Sequence, residues 1–344
     1  MVTLNPIASQ GSAAITDGEN RANFSIQQTP DITGTNDPEI LLGTPGDDTI
    51  SALGGNDTII GTTGNDFIDG GDGLDTADYT DFGEAVTILP AGAFDNNADS
   101  QLFKIERIIG ATGQQNNIDG SSVTDNSTSL NVDLGNNSLI VENIPTIGSI
   151  SLEVENFVRV AGTSNPDLIV GNNANNNLRG GAGDDEITGG GGNDFLIGNG
   201  GSDRLNGTDS LLRGANERDG LVGGGQGDRF ILGDEAGSFY TAAGDSDFAE
   251  IRDFSSGDII QLGRGETYSV ERSGSGFDLF SDREDGKELV AKVQFSFSRI
   301  ASVSSRASNR IASDASSSFD SQIELPTDSF QLDSGENLDI FTVA

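Results

Sequence analysis

The chain has 344 residues, with 55 acidic against 18 basic side chains, and it contains no His, Cys or Trp. Imidazole bases, thiolate nucleophiles and zinc or copper sites built on nitrogen or sulfur are therefore excluded. A formal net charge of -37 repels nucleic acid and anionic membrane surfaces and suits hard, oxygen-seeking cations.

Glycine accounts for 48 residues, while side-chain hydrophobics reach only 34%. That balance favours thin layers of small aliphatic residues over a bulky core. No run of about 18 apolar residues is present, so no segment is expected to span a membrane. The opening MVTLNPIASQGSAAITDGEN lacks a basic start followed by an apolar stretch, so no cleaved signal peptide is expected, and residues 1–33 read as a polar segment.

A nine-residue period begins at residue 34 and runs to 78. From Gly43 it reads GTPGDDTIS, ALGGNDTII, GTTGNDFID and GGDGLDTAD. The sixth place is Asp48, Asp57, Asp66 and Asp75, and the eighth is Ile50, Ile59, Ile68 and Ala77. GTNDPEILL at 34–42 keeps the period with Glu39 in the acidic place.

Residues 79–161 lose the glycine turns but keep strand-like alternation, in AVTIL at 85–89, SLNVDL at 129–134 and ISLEV at 150–154. GNN at 135–137 reads as a turn, and the region is expected to form degraded solenoid coils plus a hairpin. A separate small β domain is the alternative.

The period returns at 162–231, with GTSNPDLIV, GNNANNNLR, GGAGDDEIT, GGGGNDFLI and GNGGSDRLN. Seven residues, GTDSLLR, interrupt it before GANERDGLV and GGGQGDRFI. Sixth places are Asp167, Asn176, Asp185, Asp194, Asp203, Asp219 and Asp228. Residues 232–295 read as a β-rich cap, in which IRDFSSGDIIQL is strand, turn, strand. The segment 296–344 is Ser-rich, then acidic, and ends LDIFTVA.

Each repeat divides into a six-residue turn and a three-residue strand whose middle side chain points inward. Two repeats make one coil, and stacked coils build two parallel sheets with an aliphatic seam between them. Alternate repeats then stack at about 4.8 Å, with Asp48 over Asp66, Asp57 over Asp75, Asp167 over Asp185 and Asp185 over Asp203. Unscreened carboxylates at about that spacing repel by roughly 1 kcal/mol in water and roughly 3 kcal/mol at an effective dielectric near 20. A cation binding oxygens at about 2.4 Å spans the gap, which favours Ca2+ over the smaller, stricter Mg2+. Carbonyls near Gly46, Gly55, Gly64, Gly71, Gly73, Gly181, Gly183, Gly190, Gly192 and Gly201 are expected to complete the shell, with Asp219 and Asp228 closing the series.

These residues resemble the RTX (repeats-in-toxin), or hemolysin-type, calcium-binding family of secreted bacterial proteins. The resemblance implies an all-β parallel β-roll or β-helix solenoid that folds on Ca2+. The strict match covers 43–78 and 162–206, with frayed copies at 34–42 and 214–231. Glu39 and Asn176 replace Asp, and Ala174, Glu217 and Gln226 stand where Gly is expected. IERIIG at 105–110 and VENFVRVAG at 154–162 are similar to segments that lead into repeat blocks in this family. Family members are typically exported by type I secretion through an uncleaved carboxy-terminal signal. Asp339, Ile340, Phe341 and Val343 resemble such a signal, which implies an extracellular or cell-surface location.

No catalytic residue is predicted. A serine hydrolase needs a His or Lys base, and Lys104, Lys287 and Lys292 lie in no recognisable motif. The pore-forming members use apolar helices and acylated lysines, which this composition does not supply. The expected function is that of a secreted, non-enzymatic calcium-binding protein. Alternatives are a surface or matrix adhesion protein with an unknown polysaccharide ligand, or an enzyme using paired carboxylates.

Overall fold

The computed structural model describes residues 2–7, 32–89, 100–284, 286–296, 330–334 and 339–343. It divides into two compact units, residues 1–169 and 170–344. Among the described residues there is no α-helix, and the one helical turn is a 3-10 turn at Gly244–Ser246. Both units are built on parallel strands, so the all-β solenoid is what the chain forms.

In the first unit, three-residue strands alternate between two facing parallel sheets. Thr49–Ser51 pairs with Phe67–Asp69 and places Ile50 opposite Ile68. Thr58–Ile60 pairs with Thr76–Asp78 in the other sheet and places Ile59 opposite Ala77. In each strand only the middle side chain is buried, as the inward-facing eighth place requires. Ile50, Ile59, Ile68 and Ala77 are at most 1% exposed and form the seam.

The region between the repeat blocks continues these sheets. Arg107–Ile109 pairs parallel with Thr76–Asp78, and Ser100–Phe103 with Phe67–Asp69. Asn116–Asp119 lies parallel between Val86–Ile88 and Phe157–Ala161. An antiparallel meander then follows, formed by Ser129–Asp133, Ser138–Ile144 and Gly148–Glu155. Its last strand runs parallel to Arg107–Ile109, so the meander widens an existing sheet. Val2–Ile7, within the segment read as polar, forms a strand between Val86–Ile88 and Ser100–Phe103.

In the second unit, Asn177–Ala182, Phe195–Gly200, Arg218–Gly225, Phe248–Phe254 and Gly286–Phe295 form one parallel series. Gly276–Arg283 and Thr267–Ser273 extend it antiparallel. The facing sheet runs Glu186–Thr188, Arg204–Asn206, Arg229–Ile231 and Ile259–Gln261, and Asp339–Val343 adds antiparallel. Leu178, Ile187, Leu196, Leu205, Leu221, Phe230 and Ile260 fill the seam completely. Each such side chain contributes about 1.5–3 kcal/mol through burial. Beyond the last repeat the seam becomes aromatic, with Phe230 6.1 Å from Phe254 and Phe254 6.5 Å from Phe277, ring to ring.

Candidate metal centre

Every sixth-place side chain named above except Glu39, which is half-buried, is buried, Asp75 completely. A buried carboxylate costs free energy unless something answers its charge. Part of the answer is backbone. Along the stack the amide of one rung donates to the Oδ1 of the rung one coil later, as from Asp48 to Asp66 at 3.0 Å, Asp57 to Asp75 at 2.8 Å and Asp185 to Asp203 at 2.9 Å. The same bond joins Asp194 to Asp219 at 2.8 Å and Asp203 to Asp228 at 2.9 Å. The carbonyl of each rung in turn accepts the next coil's seventh-place amide, as in Thr76 N–H to Asp57 O and Arg204 N–H to Asp185 O. Neighbouring carboxylates therefore do not face each other across bare space, because a backbone amide lies between them.

The second carboxylate oxygen is another matter. Oδ2 of Asp57, Asp75, Asp194, Asp203 and Asp228 is buried and accepts no hydrogen bond. An orphaned anionic oxygen of this kind costs roughly 1–3 kcal/mol or more, which makes it a ligand position awaiting a cation. Burial also holds Asp75, Asp194, Asp203 and Asp228 towards the neutral form. It raises Asp75 to about 6, Asp228 to about 7 and Asp194 to about 8, partly offset by the amide bonds. Asp203 is raised by the same cause.

First-place glycines make room for these carboxylates. A Cβ on Gly180, Gly189, Gly198 or Gly223 would overlap Oδ2 of Asp185, Asp194, Asp203 or Asp228 respectively. Positive φ is found instead at second- and fourth-place glycines. Gly55, Gly64, Gly71, Gly73, Gly181, Gly183, Gly190, Gly192 and Gly201 all adopt it, between 97° and 153°; Gly46 does not. At Gly73 and Gly201 a Cβ would collide with the carbonyl oxygens of Gly55 and Gly183 in the preceding coil. Turn carbonyls thus point along the stack. Among the described residues no three carboxylates converge. A cation at a rung must therefore draw most of its roughly six to eight oxygens from such carbonyls. The donor set is all oxygen, which fits calcium and excludes softer metals.

A family model described as the RTX calcium-binding nonapeptide repeat (4 copies) matches residues 33–61, 42–77 and 170–205. The chain carries RTX repeats. These repeats bind Ca2+. No curated protein matches the chain.

The ladder of the RTX repeats reaches further than the nonapeptide pattern. Asp75 N–H donates to Glu106 Oε2 at 2.8 Å, and Val86 N–H to Asn116 Oδ1 at 2.9 Å. Asp228 N–H donates to Asp258 Oδ1 at 3.0 Å, so Asp228 does not end its series. Leu130 N–H donates to Asp167 Oδ1 at 2.5 Å. Glu106, Asn116 and Asp258 each stand two residues before a buried Ile (Ile108, Ile118 and Ile260), the same spacing as in the repeats. That spacing, searched without the glycines, finds them. A second ladder occupies the fifth place, where Asp47, Asn56, Asn175 and Asp184 accept the fifth-place amide one coil on.

The departures from the pattern behave individually. Asn176 keeps its rung, donating its amide to Asp194 Oδ1 at 2.8 Å. Glu39 does the same towards Asp57 at 2.9 Å. Gln226 adopts φ 80° in place of glycine. Glu217 is buried and accepts from Gly192 N–H and the Thr208 hydroxyl. A cavity of about 440 Å³ opens on the second unit beside Phe195, Arg218, Phe248 and Arg252. There the guanidinium carbons of Arg218 and Arg252 lie 4.9 and 5.1 Å from the rings of Phe248 and Phe195.

Proposed function

We propose that the chain is a secreted, non-enzymatic RTX protein whose stacked loops order when Ca2+ reaches extracellular concentration. The observation that carries this reading is the row of buried Oδ2 atoms with no hydrogen-bond partner on Asp57, Asp75, Asp194, Asp203 and Asp228. Without a cation these rungs cost free energy, and with one they stabilise the stack. Extracellular calcium modules bind at about 0.1–1 mM, far above cytosolic calcium, so the fold would be reserved for the outside of the cell. The acid-then-apolar run Asp339, Ile340, Phe341 and Val343 resembles the export signal of RTX proteins and supports secretion. Ca2+ supplies charge neutralisation and a multidentate oxygen template, while the protein's part is to hold the carboxylates and carbonyls in rows.

The non-enzymatic reading draws support from the cavity on the second unit. Of the carboxylates lining it, Glu250 is bonded to Arg252 at 3.0 Å and Asp219 accepts the Tyr240 hydroxyl at 2.6 Å. Asp194, the third, belongs to the ladder. Circular dichroism in EGTA, then in calcium at about 10 mM, roughly ten times such dissociation constants, is the test. A gain of β signal on adding calcium is expected, and its absence overturns the reading.

A second reading, surface adhesion, is favoured by the two guanidinium–ring stacks at the mouth of that cavity, which offer a flat cationic and aromatic platform for a sugar. Binding on a glycan array that is lost in Arg252→Ala would support it.

A further inference from the structure

Resting on the calcium reading above, we propose that, outside the repeat whose Asp219 is closed by Tyr240, the residue at the second place decides whether a loop keeps its carboxylate for itself or leaves it open to a cation. The chain then carries two kinds of loop, sealed and open.

In sealed loops the second-place amide turns inward and occupies the side-chain oxygen that a cation would need. Thr44 N–H donates to Asp48 Oδ2 at 2.6 Å, and the Thr44 hydroxyl donates to both carboxylate oxygens. Thr163 repeats this on Asp167, with its amide at 2.6 Å. Thr35 does so on Glu39 at 2.7 Å, and Asn172 N–H donates to Asn176 Oδ1 at 2.9 Å. The hydroxyl of Thr62 reaches Asp66 Oδ2 at 3.4 Å. None of Thr35, Thr44, Thr62, Thr163 and Asn172 has positive φ.

In open loops the second-place residue is left-handed. Leu53 has φ 75°, Gly71 97°, Gly190 101°, Asn199 75° and Gly224 106°. These precede Asp57, Asp75, Asp194, Asp203 and Asp228, the same aspartates whose Oδ2 is buried without a hydrogen bond. Left-handed backbone carries the second-place amide away from the carboxylate. Gly224 shows where it goes, since its amide donates to Asp253 Oδ2 at 2.8 Å and not to Asp228. Asn199 likewise lies in the parallel pairing, opposite Gly224.

The two kinds are ordered along the stack. In the first unit sealed Glu39 precedes open Asp57 and Asp75. In the second, open Asp203 and Asp228 are followed by Asp258, whose Oδ2 accepts Ser255 N–H at 2.6 Å. In these two series the sealed rung stands at an end, with a neighbouring coil on one side only, whereas Asp66 and Asp167 are sealed with neighbours on both sides.

Leu53 and Asn199 allow a direct test, because each already carries a Cβ and neither substitution disturbs a crowded glycine. In Leu53→Thr and Asn199→Thr the β-branched residue leaves the left-handed region and seals Asp57 or Asp203. Thr163→Gly removes the hydroxyl and permits the reverse. Calcium bound per full-length chain is counted by equilibrium dialysis with radioactive calcium at saturation, with circular dichroism confirming that each variant is folded. The expected result is the loss of at least one ion in each of the first two variants and a gain in the third. A wild-type ion count retained in folded Leu53→Thr or Asn199→Thr overturns the inference. If the wild type itself binds no calcium, the functional reading beneath it fails instead.

Discussion

The amide of Asp203 donates to the carboxylate of Asp228 at 2.9 Å across 25 residues, whereas Asp185 reaches Asp203 across 18. The difference is the seven-residue insertion at 207–213, and Asp194 to Asp219 shows the same 25-residue reach. Register is thus held by rung-to-rung bonding, and the insertion is accommodated outside it.

Asp228 is consequently an interior rung, bonded to Asp203 on one side and Asp258 on the other. Asp228→Ala should raise the calcium midpoint of folding about as much as Asp203→Ala, each by several-fold. The sequence alone places Asp228 at the close of its series. Calcium titrations followed by circular dichroism check this, and a clearly milder Asp228→Ala would argue that Asp258 does not continue the ladder.

The pH dependence has a definite sign. Burial raises Asp75 to about 6, Asp219 and Asp228 to about 7 and Asp194 to about 8. Carboxyls with raised values favour the metal-free fold while protonated, and that contribution is lost as pH rises through about 6 to 8. Calcium binding must displace the same protons, so apparent affinity should rise over this window, about tenfold per pH unit for each proton released. Calorimetry in buffers of different ionisation enthalpy measures the released protons. None released at pH 6.5 would refute the prediction.

Gly198→Ala should be costly although its backbone conformation is ordinary, because the added methyl overlaps Asp203 Oδ2. A destabilisation of about 1–3 kcal/mol is expected, as for overpacked cores. Thermal unfolding in calcium is the measurement, with Ala52→Gly, at the same place in its repeat, as a control that should change little.

Tyr240 is fully buried at φ 56° and donates its hydroxyl to Asp219 Oδ2. Tyr240→Phe leaves that oxygen without its donor and should cost about 1–3 kcal/mol at calcium just above the folding midpoint. The loss should shrink as calcium is raised, because the exposed ligand position becomes fillable. A melting-temperature difference that is the same at limiting and at saturating calcium would show that Tyr240 acts by packing alone.

The sequence announces the sheets plainly, because the period ties one inward side chain to every ninth residue, from Ile50 to Ala77 and again from Ile169 to Leu205. It also announces the acidic rows. It hides Glu106, Asn116 and Asp258, where the spacing to the buried Ile persists but the glycines do not. It hides the strand Val2–Ile7 too, since nothing local to those residues shows that Val86–Ile88 and Ser100–Phe103 leave a gap for it. The difference between Thr44 and Gly71 at the same place is visible as letters. Its meaning comes only from seeing which way each amide turns. The expectations for residues 8–31, 90–99, 297–329 and 335–338 lie outside the described residues.

The rung-to-rung bond has a direction, amide forward to carboxylate, so the beginning and finish of a series are chemically unlike. Asp48 opens with a spare acceptor, met by the Thr44 hydroxyl at 3.0 Å, whereas Asp258 finishes with a spare donor, turned back to Ser255 O at 3.3 Å. Interior coils can accordingly be duplicated or deleted in pairs with little penalty, while swapping a first coil for a last one would leave two like groups confronting each other. Length is the freely variable trait of such a series, and its termini are not.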